Sequence, residues 1–427
     1  MSILNLAKDT WRRSSVQDRV SGLSLIAAMI LYGGASSSTP ENIGAAEALI
    51  ASLLVVAVGP ASFIRAITPA RGTKNDAPVY VRAHFVLMLF LPSAIGLVFN
   101  GNTTGDYIRD IIPFLYMSLP ILLVWKASKN PEIWLRYLIA SLLIPGVLFA
   151  YRHFQEAGAA IQDVGTMQIS GGGSYFPMDP SVLFTATFGF SFGTVLLLTG
   201  VRHAISGSSF LLLGTLPYLS LLAIVVRAQI AMVVAALGAT LMLTLKSNGA
   251  KGLVLFSAVI FIISLTQYDT IYRILLSAYE LALAKHESVG LSGRDLELRA
   301  VINNADTASL ILFGEGWGGL ILNPTGRTAG YWRWVHNYFA YAFFKGGVIG
   351  LVSWTLYAGW IISALLQTLK NIHPMKAALL FAVSAPIALN LTLEPGFKML
   401  SFGLVMTIAV LLSTKPSQHQ PKLATPQ

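Results

Sequence analysis

A histidine and an asparagine stand side by side where a long polar segment meets an apolar one. His336 and Asn337 follow Trp332-Arg333-Trp334-Val335 and precede an apolar stretch that begins at Tyr338. An imidazole can take up a proton near neutral pH, and a neighbouring amide can orient it or a substrate hydroxyl. The two are candidate catalytic residues, although a single interfacial histidine is more commonly a hydrogen-bonded surface residue.

A second candidate is an arginine inside an apolar region. Residues 209–245 are nearly continuously apolar, which is long enough for two membrane spans joined by a tight turn, and Arg227 lies at that turn. A guanidinium in such a place is costly unless it reaches the water layer or meets an anion. Arg227 is therefore either an interfacial arginine or an anion-binding residue.

The polar segment before His336 has features of its own. Four of the six residues 314–319 are glycine, which permits a tight turn and brings backbone N–H groups close enough to contact an anion, although a plain turn is the simpler interpretation. Upstream, Ser292 and Asp295 have the spacing of a helix N-cap and its capping-box acid. We predict a helix from there to about Ala305. The residues on its inward-facing side would be Leu296, Leu298, Val301 and Ile302.

These candidates must be positioned by membrane helices. Of the 427 residues, 55% are apolar and 11% are charged, and the apolar residues form blocks of the length that crosses a bilayer. The predicted fold class is all-α and polytopic. The candidate spans, about 12 of them, are 21–36, 44–63, 83–99, 108–124, 133–149, 181–199, 209–225, 229–245, 252–266, 347–366, 377–391 and 397–413.

The basic residues predict an orientation. Most lysines and arginines fall in the arm 1–20, in short turns on one side of the spans, and in the tail 414–427, which is typical of cytoplasmic segments. We therefore predict cytoplasmic termini, nine spans within 21–266 with an external loop 150–180, a large external loop 267–346 that carries the site, and three spans within 347–413. The tail is predicted to be disordered.

Charge and cysteine content exclude some classes. The formal net charge is +10, but the basic residues are spread over the turns and form no patch, so we expect no nucleic-acid partner. The chain has no cysteine, which excludes disulfides and thiol-bound metals. The function should depend on the polar groups at the external side.

The spacing around His336 resembles a known signature. Nine residues separate Asn337 from Gly347, and two more lie before Gly350. This pattern resembles H-[N/S/Q]-x9-G-x-x-[G/T/V] of the O-antigen ligases, within the O-antigen ligase and polymerase family. The Gly314-Glu315-Gly316-Trp317-Gly318 turn, Ser292-Gly293-Arg294 and the arginine at 227 are also similar, and the matching motifs cover roughly residues 180–360.

The resemblance implies a reaction and a fold. Such enzymes are glycosyltransferases with a GT-C-like helical fold that pass a glycan from a polyprenyl (undecaprenyl) diphosphate to an acceptor hydroxyl, with inversion, at the outer side of the bacterial inner membrane. His336 is then expected to act as the base. The arginine fork matches phosphate oxygens in two-point contacts; the expected diphosphate-binding residues are Arg227 and Arg294 first, and Arg152 and Arg299 second.

Other expectations follow from the same resemblance. The sequence contains no Asp-x-Asp, so we expect a reaction without metal or cofactor. Aromatic residues near the site could stack on sugars, although an interfacial aromatic belt is the ordinary explanation; they are Tyr331, Trp332, Trp334, Tyr338 and Tyr341.

Several reactions remain open. Ligation of O-antigen to the lipid A core is expected first, polymerisation onto a second lipid-linked glycan is the alternative, and protein glycosylation by a related ligase is a third. A transporter is the main non-enzyme candidate, because 12 spans also suit transporters. The predicted spans contain few charges and no evident repeat, which favours the enzyme.

Overall fold

The computed structural model describes most of the chain. It covers residues 14–36, 44–68, 76–161, 164, 175–200, 203–224, 226–248, 276, 279–280, 283, 294–322, 330–332, 335–369 and 372–414, with only the backbone of Asn248, Arg294, Asp295 and Trp332. The predicted span 252–266, most of the arm 1–20 and nearly all of the tail 414–427 lie outside these residues.

The described part is almost entirely helical. Two short strands, β1 (Ile321–Leu322) and β2 (Tyr331–Trp332), pair antiparallel in the polar segment. Short 3-10 turns occupy Phe176–Met178 and Pro395–Lys398. The helices are α1 Val16–Ala35, α2 Ala45–Val58, α3 Pro60–Ile67, α4 Val79–Ala94, α5 Thr104–Met117, α6 Leu119–Ala127, α7 Pro131–Ala157, α8 Pro180–Thr199, α9 Ala204–Ala223, α10 Arg227–Asn248, α11 Arg294–Asn304, α12 Ala308–Phe313, α13 Tyr338–Leu369, α14 Pro374–Thr392 and α15 Leu400–Ser413.

Many of these helices could cross a membrane. Among the described residues, eight helical segments are long and apolar enough, and nine if the bent pair α2 and α3 forms one span. The prediction of an all-α polytopic membrane protein is confirmed. The count of 12 is not confirmed.

Several predicted boundaries differ from the structure. The predicted span 44–63 is broken at Gly59, where φ is 78° and Pro60 follows, so that α2 and α3 meet at 77°. Helix α7 continues to Ala157, into the predicted loop 150–180, and α13 begins at Tyr338, inside the predicted loop 267–346. The last predicted span, 397–413, is a helix of only 14 residues that begins at Leu400.

One buried carboxylate joins three helices. Asp179 caps α8 by accepting from the backbone N–H of Ser181 at 2.8 Å, and Pro180 follows it as the first helical residue. It also accepts from Tyr32 of α1 at 2.7 Å and from Ser401 of α15 at 2.5 Å. Because a buried carboxylate needs hydrogen-bond donors, these contacts fix the ends of α1, α8 and α15 against one another.

A proline in α4 provides the attachment point for the polar segment. Pro92 has no N–H to donate to the carbonyl of Met88, and the indole Nε1 of Trp317 donates to that carbonyl instead, at 2.9 Å. A π-helical turn, Ile95–Phe99, follows, and the Pro92 carbonyl accepts from the backbone of Trp317 at 2.9 Å. Trp317 is fully buried, so the glycine-rich turn is anchored in the helix bundle.

A glycine breaks α13 and gives the same turn a second attachment. Gly347 has φ 59° and ψ −153°, so the carbonyls of Phe344 and Lys345 lack helical partners. They accept from the backbone N–H groups of Glu315 and Gly316, at 2.9 and 3.1 Å. The His336 end of α13 is thereby held against the polar segment.

We expect the Gly347→Ala substitution to destabilise the protein. An added Cβ would lie 2.3 Å from the Leu312 backbone, and the positive φ strains any other residue, at a cost of about 1–3 kcal/mol for the strain alone. Thermal unfolding in detergent should show a lower Tm. Gly359→Ala, in the same helix with open space around it, should keep or slightly raise the wild-type Tm; equal Tm values for the two variants would contradict a structural break.

Candidate active site

His336 binds a buried carboxylate that comes from another helix. Its Nδ1 lies 2.7 Å from Glu297 Oε1 and 3.0 Å from Oε2, and its backbone N–H donates to Oε2 at 3.1 Å. Because an ionised carboxylate only accepts, it holds the imidazole proton on Nδ1 and leaves the lone pair on Nε2. The histidine side chain is 35% exposed and that of Glu297 only 7%, so the imidazole is accessible while its partner is shielded.

Asn337 has structural bonds at both ends of its side chain. Its Oδ1 accepts from the backbone N–H groups of Phe339 and Ala340 at 2.9 and 3.0 Å, which makes it the N-cap of α13. Its Nδ2 donates to the Thr392 carbonyl at 3.2 Å, at the end of α14. Asn337 thus fixes the helix start beside His336; its predicted contact with a substrate hydroxyl stays a prediction.

Helix α11 turns a polar face inward. Glu297 and Val301 are buried, and Asn304 donates to Glu315 Oε1 at 2.7 Å. The bonds to His336 compensate the cost of burying the Glu297 carboxylate. A charged side chain therefore faces inward here, whereas in an isolated surface helix the apolar side chains would be expected to face inward. Of the residues predicted to face inward, only Val301 does so, and the prediction is wrong for Leu296, Leu298 and Ile302, which are exposed.

Further along α13 lies a buried ion pair. Lys345 Nζ is 2.6 Å from Asp110 Oδ2 and donates to the Gly319 carbonyl at 2.7 Å. The carboxylate also accepts from the backbone of Gly318 at 2.7 Å and from the Tyr341 hydroxyl at 3.3 Å. A buried pair of this kind is stable only when its charges are matched and hydrogen-bonded, so it links α5, α13 and the glycine-rich turn.

A second lysine lies in the same region. Lys398, in the turn between α14 and α15, is buried, with its Nζ 4.1 Å from the centre of the Tyr341 ring. Burial lowers the pKa of Lys398 to about 7; the charge of Lys345 also lowers this pKa, whereas those of Asp110 and Glu297 raise it. The lysine is therefore close enough to sense both carboxylates of the site.

The glycine-rich turn uses its N–H groups within the protein. Besides the bonds from residues 315 to 318 described above, Gly314 donates to Leu310 and Gly319 to Gly316. Gly314, Gly316 and Gly318 all have positive φ. This arrangement favours the interpretation as a structural turn over direct contact with an anion. Gly350 has a packing role too, because an added Cβ would lie 2.7 Å from the Ala342 carbonyl.

The four candidate arginines have different surroundings. Arg152 donates to the carbonyls of Gly33 and Ser36 at 3.0 and 2.6 Å and pairs with Glu156 at 3.1 Å, so it caps the end of α1.

The other three lie near elements of the His336 site. Arg227 is exposed at the start of α10. Two residues further along, Gln229 donates to Glu394 at 2.7 Å. Glu394 in turn lies two residues after Thr392, whose carbonyl accepts from Asn337. Arg299 is exposed on α11, and Arg294 begins that helix one turn before Glu297. Phosphate contacts by the arginines stay predictions.

Two of the predicted sugar-stacking residues belong to the core. Tyr338 and Tyr341 are fully buried and pack against Trp354 and Phe397. Tyr331, by contrast, is exposed in β2. The side chains of Trp332 and Trp334 lie outside the described part, so stacking by them stays a prediction.

Sequence reasoning missed four charged residues of this region. Asp110 and Lys398 fall within the predicted spans 108–124 and 397–413, where an ionisable residue is itself a signal of function or of a buried partner. Lys345 lies next to the apolar Phe343-Phe344, inside the predicted loop 267–346. For Glu297 the sequence offers no distinctive signal, because only the fold brings it to His336.

Stability should depend on pH through Lys398. The unfolded chain keeps this lysine protonated well above pH 7 while the folded chain releases the proton, so raising the pH from about 7 to 9 should favour the folded state. The rise in Tm across this interval should be smaller in Lys398→Met than in the wild type. Lys376→Met, at an exposed lysine of α14, should keep the wild-type slope; identical slopes in all three proteins would contradict the perturbed Lys398.

Comparison with known proteins does not assign the chain to a family. No protein-family profile matches the sequence, and no curated protein matches it significantly.

Proposed function

We propose that this protein is a membrane glycosyltransferase of the O-antigen ligase and polymerase type. It would move a glycan from a polyprenyl diphosphate to an acceptor hydroxyl, with ligation to the lipid A core as the first assignment and polymerisation of lipid-linked repeat units as the alternative. The proposal places the chain in a bacterial inner membrane, with cytoplasmic termini and the site on the periplasmic side.

The contact between His336 and Glu297 carries this proposal. A histidine whose Nδ1 is held by a buried carboxylate, and whose side chain is partly exposed, is arranged as a general base rather than as an ordinary surface residue. The histidine also begins the stretch that resembles the ligase signature. The geometry and the resemblance are independent observations that support the same residue.

The proposed step needs one base and one anion site. The acceptor hydroxyl gives its proton to His336 Nε2 as its oxygen attacks the anomeric carbon, and the bond from that carbon to the phosphate oxygen breaks. The imidazolium that forms is stabilised by Glu297, and the diphosphate leaves with its negative charge. The cations proposed to bind that charge are Arg227 and Arg294. A requirement for neither metal nor cofactor is part of the proposal, based on the absence of Asp-x-Asp.

The glycan ladder of a deletion strain tests the proposal. Complementation with the wild-type gene should restore the ladder, and His336→Ala should not, at equal protein level. Full-length glycans stranded on the carrier would identify a ligase, and single repeats on lipid A a polymerase. A normal ladder with His336→Ala would refute the catalytic role of His336.

A transporter is the second candidate, and the buried charges favour it. Asp110 and Lys345 lie inside the bundle, and ionisable residues in that position commonly mark an ion or substrate path. The two functions differ in proteoliposomes. A transferase forms a new glycosidic bond there, whereas a transporter moves an unchanged glycan lipid across the bilayer.

We expect Glu297→Gln to reduce glycan transfer by about 10²-fold or more, within the range of general-base contributions. Glutamine can still accept a hydrogen bond from Nδ1, but it carries no charge to stabilise the imidazolium. The rate should be measured with purified protein, lipid-linked donor and acceptor, over a range of pH. Glu132→Gln, at an acid in the first turn of α7, is the matched control.

The result for Glu297→Gln distinguishes a role of Glu297 in positioning His336 from a role in folding the protein. A Glu297→Gln protein with normal Tm, reduced kcat and an altered pH profile supports the proposal. A normal rate would show that Glu297 does not assist His336.

We expect Arg227→Lys to impair transfer at least about tenfold, because lysine cannot make the two-point contact with phosphate. The defect should lie in KM for the lipid-linked donor. Arg136→Lys in α7 should leave the kinetics unchanged. Wild-type kinetics for Arg227→Lys would remove Arg227 from the diphosphate site.

A further inference from the structure

A buried polar pair joins α10 to the turn that follows α14. Gln229 Nε2 donates to Glu394 Oε2 at 2.7 Å, and the two residues are only 1% and 5% exposed. A hydrogen bond to a buried carboxylate is among the stronger bonds in a protein, because one partner is charged and water is excluded. The pair therefore fixes the start of α10 against residues 392–398, which we call the α14–α15 turn.

The α14–α15 turn is also fixed against the start of α13. The Thr392 carbonyl accepts from Asn337 at 3.2 Å, and the fully buried Phe397 packs on Tyr338, with ring centres 5.6 Å apart. An added Cβ at Gly396 would lie 2.3 Å from a side-chain oxygen of α14, so the turn has no room to shift toward that helix. Because the turn is closely packed, it determines where α10 begins relative to α13.

The same pair determines how Arg227 is presented. Arg227 is the first residue of α10 and Gln229 is the third, so their side chains leave the helix about 200° apart. Gln229 is bonded on the buried face, and Arg227 is therefore on the exposed face. Both residues belong to one helical turn, so a displacement of Gln229 also displaces Arg227.

Stability alone would not favour this polar pair. Among the described residues, the Oε1 atom of Gln229 is buried and has no hydrogen-bond partner. An unpaired buried oxygen destabilises a fold, and apolar residues in place of a buried polar pair are often as stable or more stable. The cost of the pair indicates that it serves the geometry of the site.

We propose that Glu394 and Gln229 are positioning residues that hold Arg227 at a fixed place relative to His336, so that the guanidinium can bind the donor diphosphate beside the base. Neither residue touches the substrate, because both are buried. This role rests on the proposed function, in which Arg227 binds the diphosphate and His336 is the base. One packed turn then sets the distance between the two functional groups.

A double-mutant cycle on ligand binding tests the positioning role. The probe is undecaprenyl diphosphate without a glycan, and its Kd would be measured for the full-length protein in nanodiscs. We expect Arg227→Ala and Glu394→Leu each to raise Kd by about tenfold. The double variant Arg227→Ala/Glu394→Leu should bind as weakly as Arg227→Ala alone, because a residue that acts through another has no further effect once that residue is removed.

Further variants separate positioning from folding. Gln229→Leu/Glu394→Leu replaces the pair by two apolar residues, so its Tm should equal or exceed that of the wild type while Kd is again raised about tenfold. Glu394→Gln keeps the shape and an acceptor for Gln229, and it should bind the probe more tightly than Glu394→Leu. Gln367→Leu, at an exposed glutamine of α13, should match the wild type in both Tm and Kd.

The possible results distinguish the positioning role from the diphosphate site. A wild-type Kd in Glu394→Leu, an additive loss in the double variant, or a raised Kd only in variants with a lowered Tm would overturn the positioning role alone. A wild-type Kd in Arg227→Ala would overturn the diphosphate site and the positioning role with it. The expected cycle in a protein that transfers no glycan would support the positioning role and refute the transferase.

Discussion

The buried pair of Asp110 and Lys345 is the constraint on which the site depends. Neither charge could remain in the bundle alone, since an uncompensated buried charge costs several kcal/mol. Lys345 is fully buried, and Asp110 also accepts from Gly318 and Tyr341. The pair therefore requires the glycine-rich turn, α5 and α13 to meet at one point. Helix α13 also begins at the residue after Asn337, so the position of His336 follows from an electrostatic requirement deeper in the fold.

Two backbone irregularities determine where the polar segment attaches to the helices. Pro92 and Gly347 each free carbonyl groups that regular helices would use, and the polar segment supplies the missing donors from Glu315, Gly316 and Trp317. A segment that reads as a loop is in this way attached to two helices at defined places. Helix α11 can then present Glu297 to His336, and the resulting pair consists of a shielded carboxylate and an accessible imidazole.

Much of the architecture was predictable because lipid imposes simple rules on sequence. Eight of the predicted spans overlap helical segments that are long and apolar enough to cross a membrane, the turn at Gly314 to Gly319 is a turn, and His336 lies where the polar segment meets a helix. The misses have physical causes. Periodicity assigns apolar side chains inward, but α11 buries Glu297 because a partner on another element compensates its charge. Hydropathy hides Asp110 and Lys398 within apolar blocks, and no local pattern reports that Tyr338 and Tyr341 pack in the core.

The distance between the cap at Asn337 and the break at Gly347 has a further consequence for chain length. Each residue inserted into an α-helix rotates the rest of that helix by about 100° and advances it by about 1.5 Å. One extra residue in this interval would turn Lys345 away from Asp110 while Asn337 stayed at the end of α14. An insertion here therefore cannot be absorbed as it would be in a surface loop. Helical geometry, rather than the groups proposed to react, therefore sets the nine-residue spacing between Asn337 and Gly347.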